Sequence, residues 1–198
     1  CNVTINHAPF QSCTPPVANA GQDMSLTCAV SQVQLNGSSS PSNMQYAWST
    51  INGNIVSDGN TLTPLVDAAG TYILSVTNPS GGCSSTDTMM VGLDNTAPSI
   101  SAGPDMNLSC TQTLTQLQAT SSAPNSQYSW VEVGGAAIPS GGNSANPTVV
   151  SPGDYVVTVT DLSNGCSSMD TALAILVPCI LPYYPPPANG KLDDLIGS

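Results

Sequence analysis

The chain has 198 residues, of which 12 are acidic and one is basic, so its formal net charge is −11. This balance leaves no basic patch, and it disfavours nucleic acid and anionic membranes as partners. The length suits one large domain or two small ones, and no apolar run approaches the roughly 20 residues of a membrane-spanning helix. Apolar residues make up 40% of the chain, and their alternating pattern argues against disorder.

An internal repeat organises the chain. Three residues recur at one constant offset, and four later ones recur at an offset larger by one, after a single insertion. The pairs are Asp23 and Asp105, Cys28 and Cys110, Trp48 and Trp130, Gly70 and Gly153, Tyr72 and Tyr155, Cys83 and Cys166, and Asp87 and Asp170. Register this consistent indicates two copies of one structural unit.

Short strands separated by turn residues fill each copy. In the first copy, strand patterns cover residues 24–28, 33–35, 46–48, 62–66, 72–77 and 89–91. Asn52 and Gly53 form a hairpin-turn signal, and Pro64 interrupts a short edge strand. Tyr72 and Tyr155 each follow a turn glycine, which predicts a tyrosine corner whose hydroxyl returns to nearby backbone. About seven short strands in each copy predict an all-β fold of two tandem Ig-like (PKD-like) β-sandwich domains.

The repeat register also predicts domain boundaries. Residues 15–96 form the first repeat and residues 97–179 the second, placed end to end because the connecting segment is too short for a flexible tether. Residues 1–14 are interpreted as the last-strand remnant of a preceding unit, because Cys1 precedes Cys83 by the same offset that separates Cys28 from Cys110. Residues 180–198 are interpreted as a proline-rich linker and the start of a following segment.

The ordered motifs of residues 15–178 resemble a known family. They resemble the Ig-like and PKD-like repeats of giant surface proteins of Bacteroidota, which include gliding-motility adhesins and other type IX secretion cargo. The residues that carry the resemblance are Ala18-Asn19-Ala20-Gly21, Leu35-Asn36-Gly37-Ser38-Ser39, Tyr46-x-Trp48, Ala69-Gly70-Thr71-Tyr72 and Asn164-Gly165-Cys166-Ser167-Ser168. The Trp-Asp-Phe-Gly-Asp-Gly run of PKD domains is missing. The resemblance implies an extracellular, cell-surface adhesin stalk rather than an enzyme.

Seven cysteines at regular spacing indicate disulfides and an oxidising, extracytoplasmic location. Bridges Cys28–Cys83 and Cys110–Cys166 are predicted, since they close loops of equivalent length, and Trp48 and Trp130 are then core residues. Cys1, Cys13 and Cys179 remain unassigned. A Cys1–Cys13 pair and bonds to chain outside this sequence are both open.

Catalytic and metal chemistry find little support. His7 is the only histidine, and no arrangement of a nucleophile with a base or of zinc ligands surrounds it. No enzymatic activity and no cofactor are therefore expected. Calcium is the one alternative, with Asp23, Asp58, Asp67, Asp105 and Asp154 near strand ends and turns. No Asp-x-Asp-x-Asp spacing exists, and calcium needs six to eight oxygens, so solvated turn aspartates are the favoured interpretation.

Glycosylation has two kinds of sequence signal. Asn2, Asn36 and Asn107 begin N-linked sequons, which chance also produces in a chain rich in Asn, Ser and Thr. Thr88 and Thr171 occupy equivalent repeat positions, each preceded by aspartate and followed by an apolar residue. They resemble the O-glycosylation motif of Bacteroidota secreted proteins, and the alternative is an ordinary strand with an exposed Asp-Thr pair.

The function predicted is a structural or adhesive stalk module of a secreted surface protein. Its expected partners are neighbouring Ig-like repeats of the same or an adjacent chain, and surface glycans or other cell-surface proteins. One alternative is a filament subunit in which residues 1–12 complete a neighbouring unit by strand addition. A second is a carbohydrate-binding module, for which the chain offers two Trp, six Tyr and one Phe.

Overall fold

The structure, a computed structural model, describes residues 13–179. These residues form seventeen β-strands and no helix. Consequently, the described residues include no helix long and apolar enough to span a membrane. The all-β prediction is confirmed, and the chain forms tandem Ig-like β-sandwich domains.

Strands occur at all six segments predicted in the first repeat, and three further strands lie at residues 17–19, 38–40 and 55–57, for which the sequence predicted none. Those of the first are β1 Val17–Asn19, β2 Met24–Thr27, β3 Val33–Gln34, β4 Ser38–Ser40, β5 Gln45–Ile51, β6 Ile55–Ser57, β7 Leu65–Val66, β8 Gly70–Thr77 and β9 Ser84–Asp94. Those of the second are β10 Ile100–Ser101, β11 Met106–Leu108, β12 Thr115–Gln116, β13 Thr120–Ser121, β14 Ser126–Glu132, β15 Thr148–Val149, β16 Gly153–Asp161 and β17 Ser167–Leu176.

Two compact units divide the described chain. The first holds residues 13–99 together with Ser122–Gln127 and Thr160–Ser168. The second holds Ile100–Ser121, Tyr128–Val159 and residues 169–179. Two short segments of the second sequence repeat thus belong to the first compact unit. The sequence-derived boundaries at residues 15–96 and 97–179 stay a prediction about domains.

The first unit is built on a four-stranded sheet in the order β2-β9-β8-β5. Strand β8 is antiparallel to both β5 and β9, whereas β2 runs parallel to β9, with Met24 opposite Val91 and Thr27 opposite Asp94. A three-stranded sheet β3-β7-β6 and the pair β1-β4 complete the unit. Alternation along β8 directs every second side chain into the core. The buried core residues are Ala20, Leu26, Val33, Leu35, Trp48, Val66, Tyr72, Leu74, Val76, Met89 and Val91.

The second unit repeats this plan. Its four-stranded sheet has the order β11-β17-β16-β14, and the pairs β12-β15 and β10-β13 accompany it. Strand β11 is parallel to β17, with Met106 opposite Ala174. The core is correspondingly similar, although Ala172 and Ala174 stand where the first unit has Met89 and Val91. Its buried members are Ala102, Leu108, Leu117, Ala119, Trp130, Val149, Tyr155, Val157, Val159, Ala172 and Ala174.

The tyrosine corner predicted from the sequence is confirmed in both units. The fully buried Tyr72 donates its hydroxyl to the Ala68 carbonyl over 2.6 Å, and Tyr155 donates to the Ser151 carbonyl over 2.8 Å. The two tryptophans, Trp48 and Trp130, are buried as expected, and their indole N–H groups donate to backbone carbonyls. Each ring therefore contributes apolar area to a core while its polar atom has a partner.

The hairpin predicted at Asn52-Gly53 is wrong in one respect. Asn52 has a φ of 62°, as a tight turn requires, but β6 pairs with β7 and not with β5. The chain passes here from one sheet to another, and the Tyr72 hydroxyl beside the turn accepts the Asn54 N–H over 3.1 Å. A Cβ on Gly53 would lie 2.6 Å from that hydroxyl, so glycine is needed at this position.

Candidate functional site: the disulfide bridges and the Asn164 turn

Three disulfides join the six described cysteines. They are Cys13–Cys83, Cys28–Cys166 and Cys110–Cys179, with Cα–Cα distances of 5.9, 5.0 and 6.0 Å. The structure therefore contradicts the predicted pairs Cys28–Cys83 and Cys110–Cys166. Cys13 and Cys179, left unassigned from the sequence, each pair within the chain. Cys1 lies outside the described residues.

The parallel pairing of the first and last strands explains the correction. Cys28 directly follows β2, which is aligned with the final residues of β9, whereas Cys83 directly precedes β9. Strand β9 spans roughly 35 Å, so the two sulfurs lie at opposite ends of the sheet. The predicted bridge required an antiparallel arrangement. The same parallel arrangement, β11 beside β17, separates Cys110 from Cys166.

The Cys28–Cys166 bridge joins a loop of the first repeat to a turn of the second, 138 residues away, inside the first compact unit. Beside it, the Ala29 N–H donates to the Asn164 carbonyl over 3.1 Å. Gly165 has a φ of +74°, and a Cβ there would lie 2.5 Å from the Ala29 Cβ. Any other residue at 165 would therefore both strain the turn and push this loop away.

Asn164 is the polar centre of this turn and is only 4% exposed. Its Oδ1 accepts the Cys166 N–H over 2.9 Å, and its Nδ2 donates to the Thr96 carbonyl over 3.0 Å and to Asp94 Oδ1 over 3.2 Å. The Thr96 N–H and then the Asn164 amide hold the pKa of Asp94 below its usual value. One side chain thus ties the turn to the segment that follows β9.

The chain has no second copy of this arrangement among its described residues. By the repeat register, Gly81 stands where the second repeat has Asn164, and Val177 stands where the first has Asp94. Neither side chain can make the equivalent hydrogen bond. The role of Asn164 was not predicted from the sequence, because the motif that contains it was interpreted only as a turn. Its replacement by Gly81 in the other repeat was the available signal.

Residues 13–179 contain no Lys, Arg or His, and several of their carboxylates accept backbone N–H groups. Asp87 accepts the Ala20 N–H over 2.8 Å, and its repeat counterpart Asp170 accepts the Ala102 N–H over 2.8 Å. The Ala102 N–H, followed by that of Thr171, lowers the pKa of Asp170. The aspartates at equivalent repeat positions are therefore explained by structure.

Four of the five calcium candidates accept hydrogen bonds from the chain itself. Asp23 and its repeat counterpart Asp105 accept N–H groups of β9 and β17, over 2.8 and 3.0 Å. Asp67 accepts the Asn54 amide, Asp58 accepts the Ser57 hydroxyl, and Asp154 is exposed on β16. Within residues 13–179, no three His, Cys, Asp or Glu side chains come close enough to hold a metal ion.

The glycosylation candidates are accessible where the structure describes them. Thr88 on β9 and Thr171 on β17 are exposed, as are Asn36 and Asn107. Thr88 lies opposite Ile73 on β8. Asn2 lies outside the described residues. These positions remain predictions about modification.

Clefts and aromatic side chains offer little for a ligand. A shallow cleft of about 490 Å³ borders β5 beside Tyr46 and Asn60 in the first unit, and one of about 330 Å³ borders Glu132 in the second. The Glu132 carboxylate accepts the Ala136 N–H over 2.7 Å. Burial, and after it the charge of Glu132, raises the pKa of Tyr155. All described Trp and Tyr residues are buried or half-buried, and Phe10, Tyr183 and Tyr184 lie outside the described residues.

Neither a protein-family model nor a curated protein sequence matches the chain. Among solved structures, the I-band fragment I67–I69 of titin is 14% identical, with a TM-score of 0.45 over 84% of this chain and 67% of that one. The Drosophila OTK extracellular domains 3–5 are 13% identical, with a TM-score of 0.38 over 79% of this chain and 59% of that one. The PKD domain of human KIAA0319 is 14% identical, with a TM-score of 0.36 over 50% of this chain and 98% of that one. At these scores the similarities carry no argument about partners or activity.

Proposed function

We propose that this chain is a structural stalk segment of a secreted adhesin, displayed on the surface of a bacterial cell. The observation that carries the proposal is the use of every described cysteine in a disulfide, one of which reaches across 138 residues from one repeat to the other. Bridges of this kind persist in oxidising compartments outside the cytoplasm. A chain that places its reactive groups in bridges is suited to holding shape rather than to chemistry.

The chemistry of the remaining side chains supports the same proposal. The only histidine lies outside the described residues, and no described cysteine retains a thiol. Nucleophilic catalysis by a Cys or Ser paired with a histidine therefore has no partners in residues 13–179. The resemblance of the repeat motifs to Bacteroidota surface proteins supports the adhesin assignment. Exposed Thr88 and Thr171 are the acceptors that we propose for O-linked glycans.

Each of the two alternative functions has its own structural requirement. A filament subunit needs residues 1–12 to add a strand to a neighbour, and those residues lie outside the described chain. A carbohydrate-binding module needs an exposed aromatic platform, whereas Trp48, Trp130, Tyr72 and Tyr155 are all core residues. The stalk is therefore the function that the described residues support best.

Surface display tests the proposal directly. An antibody raised against this chain is applied to intact and to permeabilised cells of the source organism. We expect equal labelling of both, and loss of cell attachment when residues 15–179 are deleted from the parent gene while display of the rest is retained. Labelling only after permeabilisation would contradict a surface location, and unchanged attachment would contradict a stalk role.

A further inference from the structure

The three bridges divide the chain between residues 13 and 179 into two covalent routes. The first route crosses Cys13–Cys83, follows the backbone from residue 83 to residue 110, and crosses Cys110–Cys179. The second follows the backbone from residue 13 to residue 28, crosses Cys28–Cys166, and continues to residue 179. The two routes share no peptide bond and no disulfide.

The routes are nearly equal in length. The backbone of the first covers residues 83–110, and that of the second covers residues 13–28 and 166–179. At roughly 3.3–3.6 Å per fully extended residue, each route reaches about 90–100 Å, whereas the unbridged backbone from residue 13 to residue 179 reaches about 550–600 Å. With the bridges intact, residues 13 and 179 can separate to only about one sixth of the unbridged distance, and each of the two routes sets this limit by itself.

The strands that carry the two routes are hydrogen-bonded neighbours in both units. Strand β2 lies on the second route and β9 on the first, and they pair in parallel. Strand β11 lies on the first route and β17 on the second, and they also pair in parallel. Both routes run from the N-terminal to the C-terminal side. Tension applied at the two ends therefore acts on each neighbouring pair in the same direction and does not slide one strand past the other.

We propose that the chain is a tension link in which two parallel covalent routes of matched length share a pulling force, and in which either route holds when the other is broken. Residues 29–82 and 111–165, which contain the buried tryptophans and tyrosines of both cores, lie on neither route. The backbone of these two segments carries no tension once the routes are taut. The inference rests on the proposed stalk function, because a stalk is anchored at one end and pulled at the other.

Single-molecule pulling measures the routes. The full chain is held by handles at its two termini, with Cys1→Ser in every protein so that only the six described cysteines remain. The contour length at full extension is compared with and without dithiothreitol, which reduces the bridges to thiols. We expect the reduced protein to be longer by about 460–500 Å, the difference between the unbridged backbone and one route.

Bridge-deletion variants test whether there are two routes. Cys28→Ser with Cys166→Ser leaves only the first route, and Cys13→Ser with Cys83→Ser leaves only the second. Neither pair should change the oxidised contour length by more than about 4 Å, the extended length of one residue. All four substitutions together leave only Cys110–Cys179. The contour length is then that of the backbone from residue 13 to residue 110, a total of about 320–350 Å. Peptide mapping of unreduced protein identifies the bridges that remain in each variant.

Two results would overturn the inference: one would appear in the protein with all six described cysteines, and the other in a single bridge-deletion variant. An oxidised contour of about 180–200 Å, made of residues 13–28, 83–110 and 166–179 in series, would mean a single route through Cys28–Cys83 and Cys110–Cys166. An increase in the oxidised contour length of more than about 100 Å after loss of one bridge would mean that the remaining route does not hold the chain by itself. Neither measurement involves the cell surface, so a chain that passes both but is absent from the surface would refute only the proposed function.

Discussion

Replacing Asn164 tests how strongly one buried amide holds the Cys166 turn. Asn164→Ala removes the acceptor of the Cys166 N–H and the donor to the Thr96 carbonyl, and Cys166 is itself buried. A buried N–H left without a partner costs about 1–3 kcal/mol, so we expect the free energy of unfolding of the first unit to fall by about 2 kcal/mol. For a chain of this size, that loss lowers Tm by roughly 4–8 °C.

The assay is urea unfolding of the oxidised protein, together with hydrogen exchange at the Cys166 amide. Asn36→Ala, at an exposed asparagine of the same unit, is the matched control and should stay within about 0.5 kcal/mol of wild type. Asn164→Asp keeps an acceptor for Cys166 but places a second carboxylate beside Asp94. The loss of stability in Asn164→Asp should therefore be largest at neutral pH. An Asn164→Ala protein that unfolds like wild type and keeps its Cys166 amide protected would refute the reasoning.

Three further predictions concern the cores and the carboxylates. Tyr72→Phe should lower the free energy of unfolding by about 1–3 kcal/mol, because it leaves the Asn54 N–H without its acceptor. Tyr155→Phe should lower it by less, about 1 kcal/mol, because it loses a single hydrogen bond to Ser151. Equal losses in urea unfolding would contradict this order. The pKa values of Asp94 and Asp170 are lowered in the folded state, so their contribution to stability is present above about pH 3.9 and is lost as the pH falls through the folded values. The protein with both aspartates changed to asparagine should lose less stability between pH 7 and pH 2.5, as measured by urea midpoints. Residues 13–179 contain no basic side chain, so within them added salt screens repulsion and breaks no ion pair. Tm should therefore rise as the Debye length shortens from about 30 Å to about 10 Å, and a fall would contradict this.

The paired aspartates show how far repeat register alone can lead. Asp87 and Asp170 recur at equivalent positions, and the sequence assigned them to a glycosylation motif. The structure adds that each accepts the N–H of an alanine, Ala20 or Ala102, at the other end of its repeat. Identical spacing indicates that two residues share a role. It does not say whether that role is a hydrogen bond within the fold or a mark for an enzyme.

The sequence by itself determined most of the strands, the all-β fold of two tandem domains and the core aromatics. Alternating apolar residues, turn glycines and a constant repeat offset depend on local geometry and on self-similarity, both of which are readable along the chain. The tertiary structure alone decided the bridges and the role of Asn164. Whether β2 lies parallel or antiparallel to β9 is a long-range choice, and it decides which end of the sheet Cys28 occupies. A disulfide requires its two Cα atoms to lie within about 7 Å, so the partners follow from that strand direction and not from loop length.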